Sequence, residues 1–196
     1  MITIEQIKKL RDSSGVSVMQ CKKALEESSG DIEKALLVLR KKSSDIAAKK
    51  SDRLLKAGVI ESYIHSNKIV GVIIELSCET DFVARNEDFR ILARDLAMHV
   101  TAANPEYIDL SDISSDVLKK VTEMFKKEVE ESGKLIDIQQ KIIEGKISAY
   151  FDERTLLKQS FIKNPDITIE ELVNNNVQKF GEKIKISRFV RFMVGN

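Results

Sequence analysis

The chain has no tryptophan and only two residues each of cysteine, histidine and proline among its 196. Cys21 and Cys78 are too few for a disulfide framework and lack the paired spacing of a zinc site. His65 and His99 stand far apart and share no ligand spacing, so no metal is expected. No apolar run approaches the roughly 20 residues of a membrane-spanning helix, and no membrane partner is expected. The start, Met1-Ile2-Thr3-Ile4-Glu5, has no basic stretch leading into an apolar one, so it does not read as a signal peptide. Excess charge is also scarce: 32 Lys and Arg against 31 Asp and Glu leave +1. A protein that works by gripping phosphates usually carries more, so direct nucleic-acid binding is not expected. A reducing cytoplasm is the simplest home for such a chain.

What is present is enough to build a core. Apolar residues make up 42% and charged residues 32%, a mixture that predicts a globular chain with much helical surface. The first 52 or so residues predict three helices. Thr3 with Gln6 starts the first, whose stripe is Ile4, Ile7 and Leu10, and Gly15 ends it. Ser17 with Gln20 starts the second, with Val18, Cys21, Ala24 and Leu25 as its stripe. Gly30 closes that helix, and Asp31 caps a third lined by Ile32, Ala35, Leu36 and Leu39. Residues 1–53 hold twelve basic and eight acidic residues, a net of +4, which leaves −3 on the remainder. Ser43 to Lys50 reads as a tether, partly helical.

The period then changes. Val59 to Ile64 and Ile69 to Leu76 are rich in β-branched residues, with Ser66-Asn67 as the turn of a hairpin. A helix capped by Asn86 runs through Phe89, Leu92, Ala93, Leu96 and Val100 to Asn104-Pro105. Two charged helical segments, about 115–131 and 135–150, are separated by Ser132-Gly133 and predict a projecting helical hairpin or coiled-coil arm. Thr168 with Glu171 starts a short helix, and Ile184 to Val194 reads as a last strand. The division is therefore a three-helix bundle, 1–52, followed by an α+β core, 53–196.

Catalytic chemistry leaves a cluster of nucleophile, base and orienter, or a cofactor motif. None is convincing here, so the chain reads as a non-enzyme without cofactor that acts by binding. Gly145-Lys146-Ile147-Ser148 faintly echoes a phosphate loop but lacks the upstream glycine and the preceding strand. Cys78 is either a reactive thiol or, more simply, an inert buried one at a strand end.

The most informative stretch is Cys78-Glu79-Thr80-Asp81-Phe82-Val83-Ala84-Arg85-Asn86. It joins an apolar strand to a helix beginning at Asn86, and such joints often carry function. Phe82 there is either a core plug or a probe aimed at another molecule. Asp81 is either part of that probe or a turn cap. Met19 on the second helix is either a gap-filler or a contact, and Lys22-Lys23 either a contact or a solvated face.

Several blocks carry a family resemblance. Leu10-Arg11-Asp12-Ser13-Ser14-Gly15, Met19-Gln20-Cys21-Lys22-Lys23-Ala24-Leu25 and Gly30-Asp31-Ile32-Glu33-Lys34-Ala35 resemble the start of the elongation factor Ts family. The Cys78–Asn86 patch resembles its second signature. Met98 to Ile108 and Leu156 to Pro165 resemble later blocks, in the family's order. The resemblance implies an N-terminal ubiquitin-associated-like three-helix bundle joined to an α+β core with a small antiparallel sheet. It implies a guanine-nucleotide exchange factor that binds elongation factor Tu, both GDP-bound and nucleotide-free. Thr80, Asp81, Phe82 and Val83 match the wedge that disturbs the partner's magnesium and phosphate site. Arg11, Val18, Met19 and Lys22 match bundle positions facing the partner, and His99 matches a core position near it. The chain departs from the family pattern at Val18, where a methionine is usual, and at Gln20, where an acid is usual. Longer members carry two related core halves, each with a hairpin. One hairpin precedes the Met98 block here, so a second copy, in a homodimer, is expected to supply the other half. The competing reading is an adaptor without exchange activity that binds RNA, the ribosome or a protein, using Lys41-Lys42, Lys49-Lys50 and Arg53.

Overall fold

A computed structural model of the chain describes residues 2–130 and 136–195. The fold is α+β. Helices α1 (Ile4–Ser14), α2 (Val18–Glu27) and α3 (Ile32–Lys49) come first. Thr3 and Gln6 form a reciprocal capping box on α1, and Gly15 ends it in the left-handed conformation. Ser17 and Asp31 cap α2 and α3. Gly30 closes α2 as expected: it is left-handed, as is Ser29 before it, and its N–H reaches back to the Leu25 carbonyl at 2.8 Å. The bundle core is Leu10, Val16, Cys21, Ala24, Leu25, Ala35 and Leu39. Ile4 and Val18, expected in the stripes, lie outside instead, Ile4 at 87% exposure. Both are first residues of their helices, ahead of the turns that form the seam. Ile2, just before the cap, packs on the core together with Ile7, the two positions of a hydrophobic staple. The expected tether is helical as far as Lys49, where α3 ends.

Two compact units result: Met1–Met98 with Glu170–Asn196, and His99–Ile169. In the first, α8 (Ile169–Phe180) ties the bundle down. The Asn175 amide donates to the Ser14 carbonyl at 3.0 Å, Ser43 bonds Gln178, and Arg40 pairs with Glu171 at 3.4 Å. The sheet is antiparallel in the order β1 (Ala57–Ile64), β2 (Val70–Cys78), β5 (Lys185–Met193). Its hairpin turn spans His65 to Lys68, with the Lys68 N–H on the His65 carbonyl at 2.8 Å. Side chains alternate across the sheet. Val72, Ile74, Leu76, Cys78 and Ile186 are buried, whereas Ile60, Ile64, Ile73, Val190 and Phe192 are exposed on the other face.

Strand β1 lies so close to β2 that a Cβ at Gly58 would stand 2.5 Å from the Leu76 carbonyl oxygen. That contact is backbone, which cannot swing aside. Gly58→Ala is therefore expected to lower unfolding free energy by about 1–3 kcal/mol, read as a reduced urea midpoint. An unchanged midpoint would mean that β1 has room to move off.

Helix α4 (Asp81–Ala84) follows β2, and α5 (Glu87–Ala103) follows α4. The Asn86 side chain accepts from the Asp88 N–H at 2.9 Å, as its expected capping role requires. The second unit contains α6 (Ser115–Glu130) and α7 (Ile136–Arg154). They run antiparallel, with Phe125 edge-on to Tyr150 and Lys146 paired with Glu128. The expected junction, Ser132-Gly133, lies outside the described residues. A small hairpin, β3 (Ser160–Phe161) with β4 (Asn164–Thr168), completes the unit. Among the described residues no helix is long and apolar enough to cross a membrane.

Candidate functional site

The joint after β2, read in the sequence as a link to a helix beginning at Asn86, is itself one turn of α-helix. Thr80 is its cap, and its hydroxyl accepts from the Val83 N–H at 3.5 Å. The Ala84 and Arg85 N–H groups close onto the Thr80 and Asp81 carbonyls at 3.1 and 3.0 Å. A turn this short has few bonds of its own and depends on anchoring. Val83, 3% exposed, and Ala84 provide part of it from the buried side. The helical rotation that turns Val83 inward leaves Phe82 outward at 83% exposure. Between core plug and outward ring, the fold has taken the outward ring. Leaving a phenylalanine in water forgoes about 1.5–3 kcal/mol of burial. Asp81, beside it, is exposed and pairs loosely with Arg85 at 3.7 Å.

The rest of the anchoring comes from Glu182, between α8 and β5, which no local pattern in the sequence points to. One of its carboxylate oxygens accepts the N–H groups of Glu79 and Thr80 at 3.1 and 3.0 Å. The other accepts the Thr80 hydroxyl at 2.6 Å. Glu79 answers by accepting the Lys183 N–H and the Arg53 guanidinium. Burial pushes the Glu79 carboxyl up, but those two donors outweigh it and hold the group below the usual carboxylate range.

Cys78 sits behind this turn, its thiol on the Thr80 carbonyl at 3.3 Å. Burial, and then the nearby Glu182 carboxylate, push the thiol from an ordinary 9.0 up to about 11. Such a thiol is no nucleophile at neutral pH. The shift also predicts a pH dependence. Below pH 9 the thiol is protonated in folded and unfolded chains alike, and its contribution to stability is complete. Between 9.0 and about 11 only the unfolded chain ionises, so stability falls as pH rises through that window. Urea midpoints across the window should show the fall, and Cys78→Ala should flatten it. An unaltered slope in that variant would place the titrating group elsewhere.

On the bundle, Val18, Met19 and Lys22 share one face of α2, since residues three and four apart are neighbours on a helix. All three are exposed, Met19 at 79%, and Arg11 is exposed on the last turn of α1. Lys22 holds only a loose pair with Glu26 at 3.9 Å. The bundle therefore offers a mixed apolar and basic face.

His99 belongs to the second unit and is 1% exposed. Its Nδ1 accepts the Ile162 N–H at 3.4 Å, so Nε2 carries the proton and donates to the Gln159 side-chain oxygen at 3.0 Å. Burial lowers its pKa and keeps it neutral.

The comparisons with known proteins come down on one side. The model of the elongation factor TS family matches residues 8–196. An elongation factor Ts of Thermodesulfovibrio yellowstonii is 50% identical over 194 residues, covering 99% of this chain and 96% of that protein. One of Thermosipho melanesiensis is 46% identical over 195 residues, 100% of both chains. One of Carboxydothermus hydrogenoformans is 45% identical over 195 residues, 100% of this chain and 90% of that protein.

Proposed function

The chain belongs to the elongation factor Ts family, and from that we propose that it is the guanine-nucleotide exchange factor of elongation factor Tu. It binds the GDP-bound GTPase, disturbs the magnesium and phosphate site, and so promotes GDP release and GTP loading. The observation that carries this reading is Phe82, 83% exposed on a turn held by Thr80 and Val83. Asp81 and Phe82 are the parts that enter the partner. Thr80 and Val83 hold them from behind, as cap and anchor. The bundle, residues 1–52, grips the GTPase through Arg11, Val18, Met19 and Lys22, and the core, 53–196, performs the exchange. His99, enclosed in its own unit, acts on the partner only through the backbone that it holds at Ile162.

The action is a difference in binding, not bond chemistry, so no cofactor and no catalytic group is required. The factor must hold nucleotide-free GTPase more tightly than GDP-bound GTPase. By linkage, GDP weakens the factor's hold by the same ratio. Magnesium is a vulnerable point, because it ties phosphates to protein through few protein ligands. A cytoplasmic location without nucleic-acid or membrane partners is part of the same proposal.

Stopped-flow release of a fluorescent GDP from elongation factor Tu tests the proposal. Micromolar amounts of the protein are expected to accelerate release manyfold, and release at the spontaneous rate would overturn it.

A homodimer is part of the same proposal. The outer sheet face exposes Ile60, Ile64, Ile73, Val190 and Phe192 together, an apolar surface of the kind that marks an interface. A second copy would cover it with the same residues, around the Glu75–Arg188 pair at 2.6 Å. Light scattering is expected to give twice the mass of one chain; a fully active monomer removes the dimer.

A further inference from the structure

The turn between α8 and β5, Gly181-Glu182-Lys183, binds two other segments of the first unit at once. One is the exit of β2, where Glu182 holds the Glu79 and Thr80 N–H groups and the Thr80 hydroxyl, and where the Lys183 N–H binds Glu79. The other is the chain leaving the bundle. The Lys50 ammonium donates to the Gly181 carbonyl at 2.6 Å. The Lys183 ammonium donates to the Arg53 carbonyl at 3.0 Å and also to that of Ser51. Arg53 closes the circuit by donating to both Glu79 oxygens at 3.2 Å. Three stretches of backbone, far apart in sequence, are thus fastened at one place.

We propose that the Gly181–Lys183 turn is a bracket that sets the angle of the Phe82-bearing turn relative to the bundle, with Glu182 as its positioning residue. The inference rests on the reading of Phe82 as the wedge and says what keeps that wedge aimed. Two surfaces of one protein can engage one partner together only if their relative geometry is held. Orientation of that kind raises the rate of the step that follows binding.

The chemistry explains why the residue is a carboxylate. The Thr80 hydroxyl has two tasks: it caps Val83 N–H with a lone pair, and it points its proton at Glu182. A group that only accepts fixes the proton's direction and leaves the lone pair free for the cap. Glutamine would keep one acceptor oxygen for the two backbone N–H groups but set an NH2 against the hydroxyl. Alanine would leave all three donors without their partner.

The test compares full-length Glu182→Ala, Glu182→Gln, Phe82→Ala and the Glu182→Ala/Phe82→Ala double variant in fluorescent-GDP release from elongation factor Tu. Urea titration confirms that each variant is folded. Glu182→Ala is expected to lower the maximal release rate about tenfold while its half-saturating concentration stays within about twofold, since the bundle's grip persists. Glu182→Gln should lie between wild type and Glu182→Ala, about threefold down, because it keeps part of the hydrogen bonding. The double variant should lie within about threefold of Phe82→Ala rather than tenfold below it, because only Asp81 is left for the bracket to aim. Loss of activity in Phe82→Ala with a wild-type rate in Glu182→Gln overturns the bracket and spares the wedge, whether or not Glu182→Ala folds. A double variant slower than Phe82→Ala by the full tenfold also overturns it, since Glu182 would then act independently. Full activity in Phe82→Ala removes the wedge and the bracket with it.

Discussion

Phe82→Ala is expected to leave the stability of the protein unchanged and to remove most of its stimulation of GDP release. The first half follows from exposure. The ring is 83% accessible, and the turn beneath it is held by Val83, Ala84 and Glu182 rather than by the ring. Surface changes of this kind usually shift stability by less than about 0.5 kcal/mol. The second half follows from the energetics of interfaces. Binding energy concentrates in a few aromatic or arginine anchors, each worth about 2 kcal/mol or more on truncation. A loss of that size in the transition state for release corresponds to more than about tenfold in rate. Stopped-flow release at saturating factor, beside a urea titration, measures both halves. A variant with wild-type release would show that this ring is not what disturbs the nucleotide site.

Phe89→Ala, seven residues along, is expected to do the opposite. Phe89 is 0% exposed and packs edge-on against Phe180, centroids 6.0 Å apart at 82°. Truncating a buried phenylalanine costs about 3–5 kcal/mol. Against a typical total stability of about 5–15 kcal/mol, that is a large share. For a chain of this size each kcal/mol moves the melting temperature by about 2–4 °C, so a fall of about 10 °C is expected. The ring also joins α5 to the last residue of α8, directly before the turn that carries Glu182. At temperatures where the variant remains folded, maximal GDP release should nevertheless stay within about twofold of wild type, because Phe89 touches no partner. Unchanged melting would contradict the packing described here. Together the two substitutions separate exchange from stability, with the same chemical change at two positions.

These two phenylalanines also show how far the sequence could be read. Phe89 falls on the stripe with Leu92, Ala93, Leu96 and Val100, so periodicity alone places it inside. Phe82 has no such stripe. Its helix is four residues long, too short to show a period, so in the sequence it reads only as a joint between strand and helix. The caps at Thr3, Ser17 and Asp31 were legible because each bond spans three residues. Ile4 and Val18 misled because an apolar first residue of a helix looks like part of a stripe that begins only a turn later. The β3–β4 hairpin was invisible, as a strand of two residues carries no alternation. Glu75 and Ser77, which interrupt the apolar run of β2, mark a wet face in the sequence, but Ile60, Ile64, Ile73, Val190 and Phe192 on that face read the same whether a core or water covers them.

What the amino-acid order determined alone is most of the local layer and the family: where the longer helices start, which long runs are strands, and the blocks shared with elongation factor Ts. Those signals live within a few residues, where backbone hydrogen bonds and side-chain periods operate. The direction of Phe82 was decided elsewhere. It depends on Val83 and Ala84 finding the core and on a carboxylate 102 residues beyond Thr80 holding its backbone. Such contacts form only when distant segments pack together, so tertiary structure alone turns this ring toward solvent.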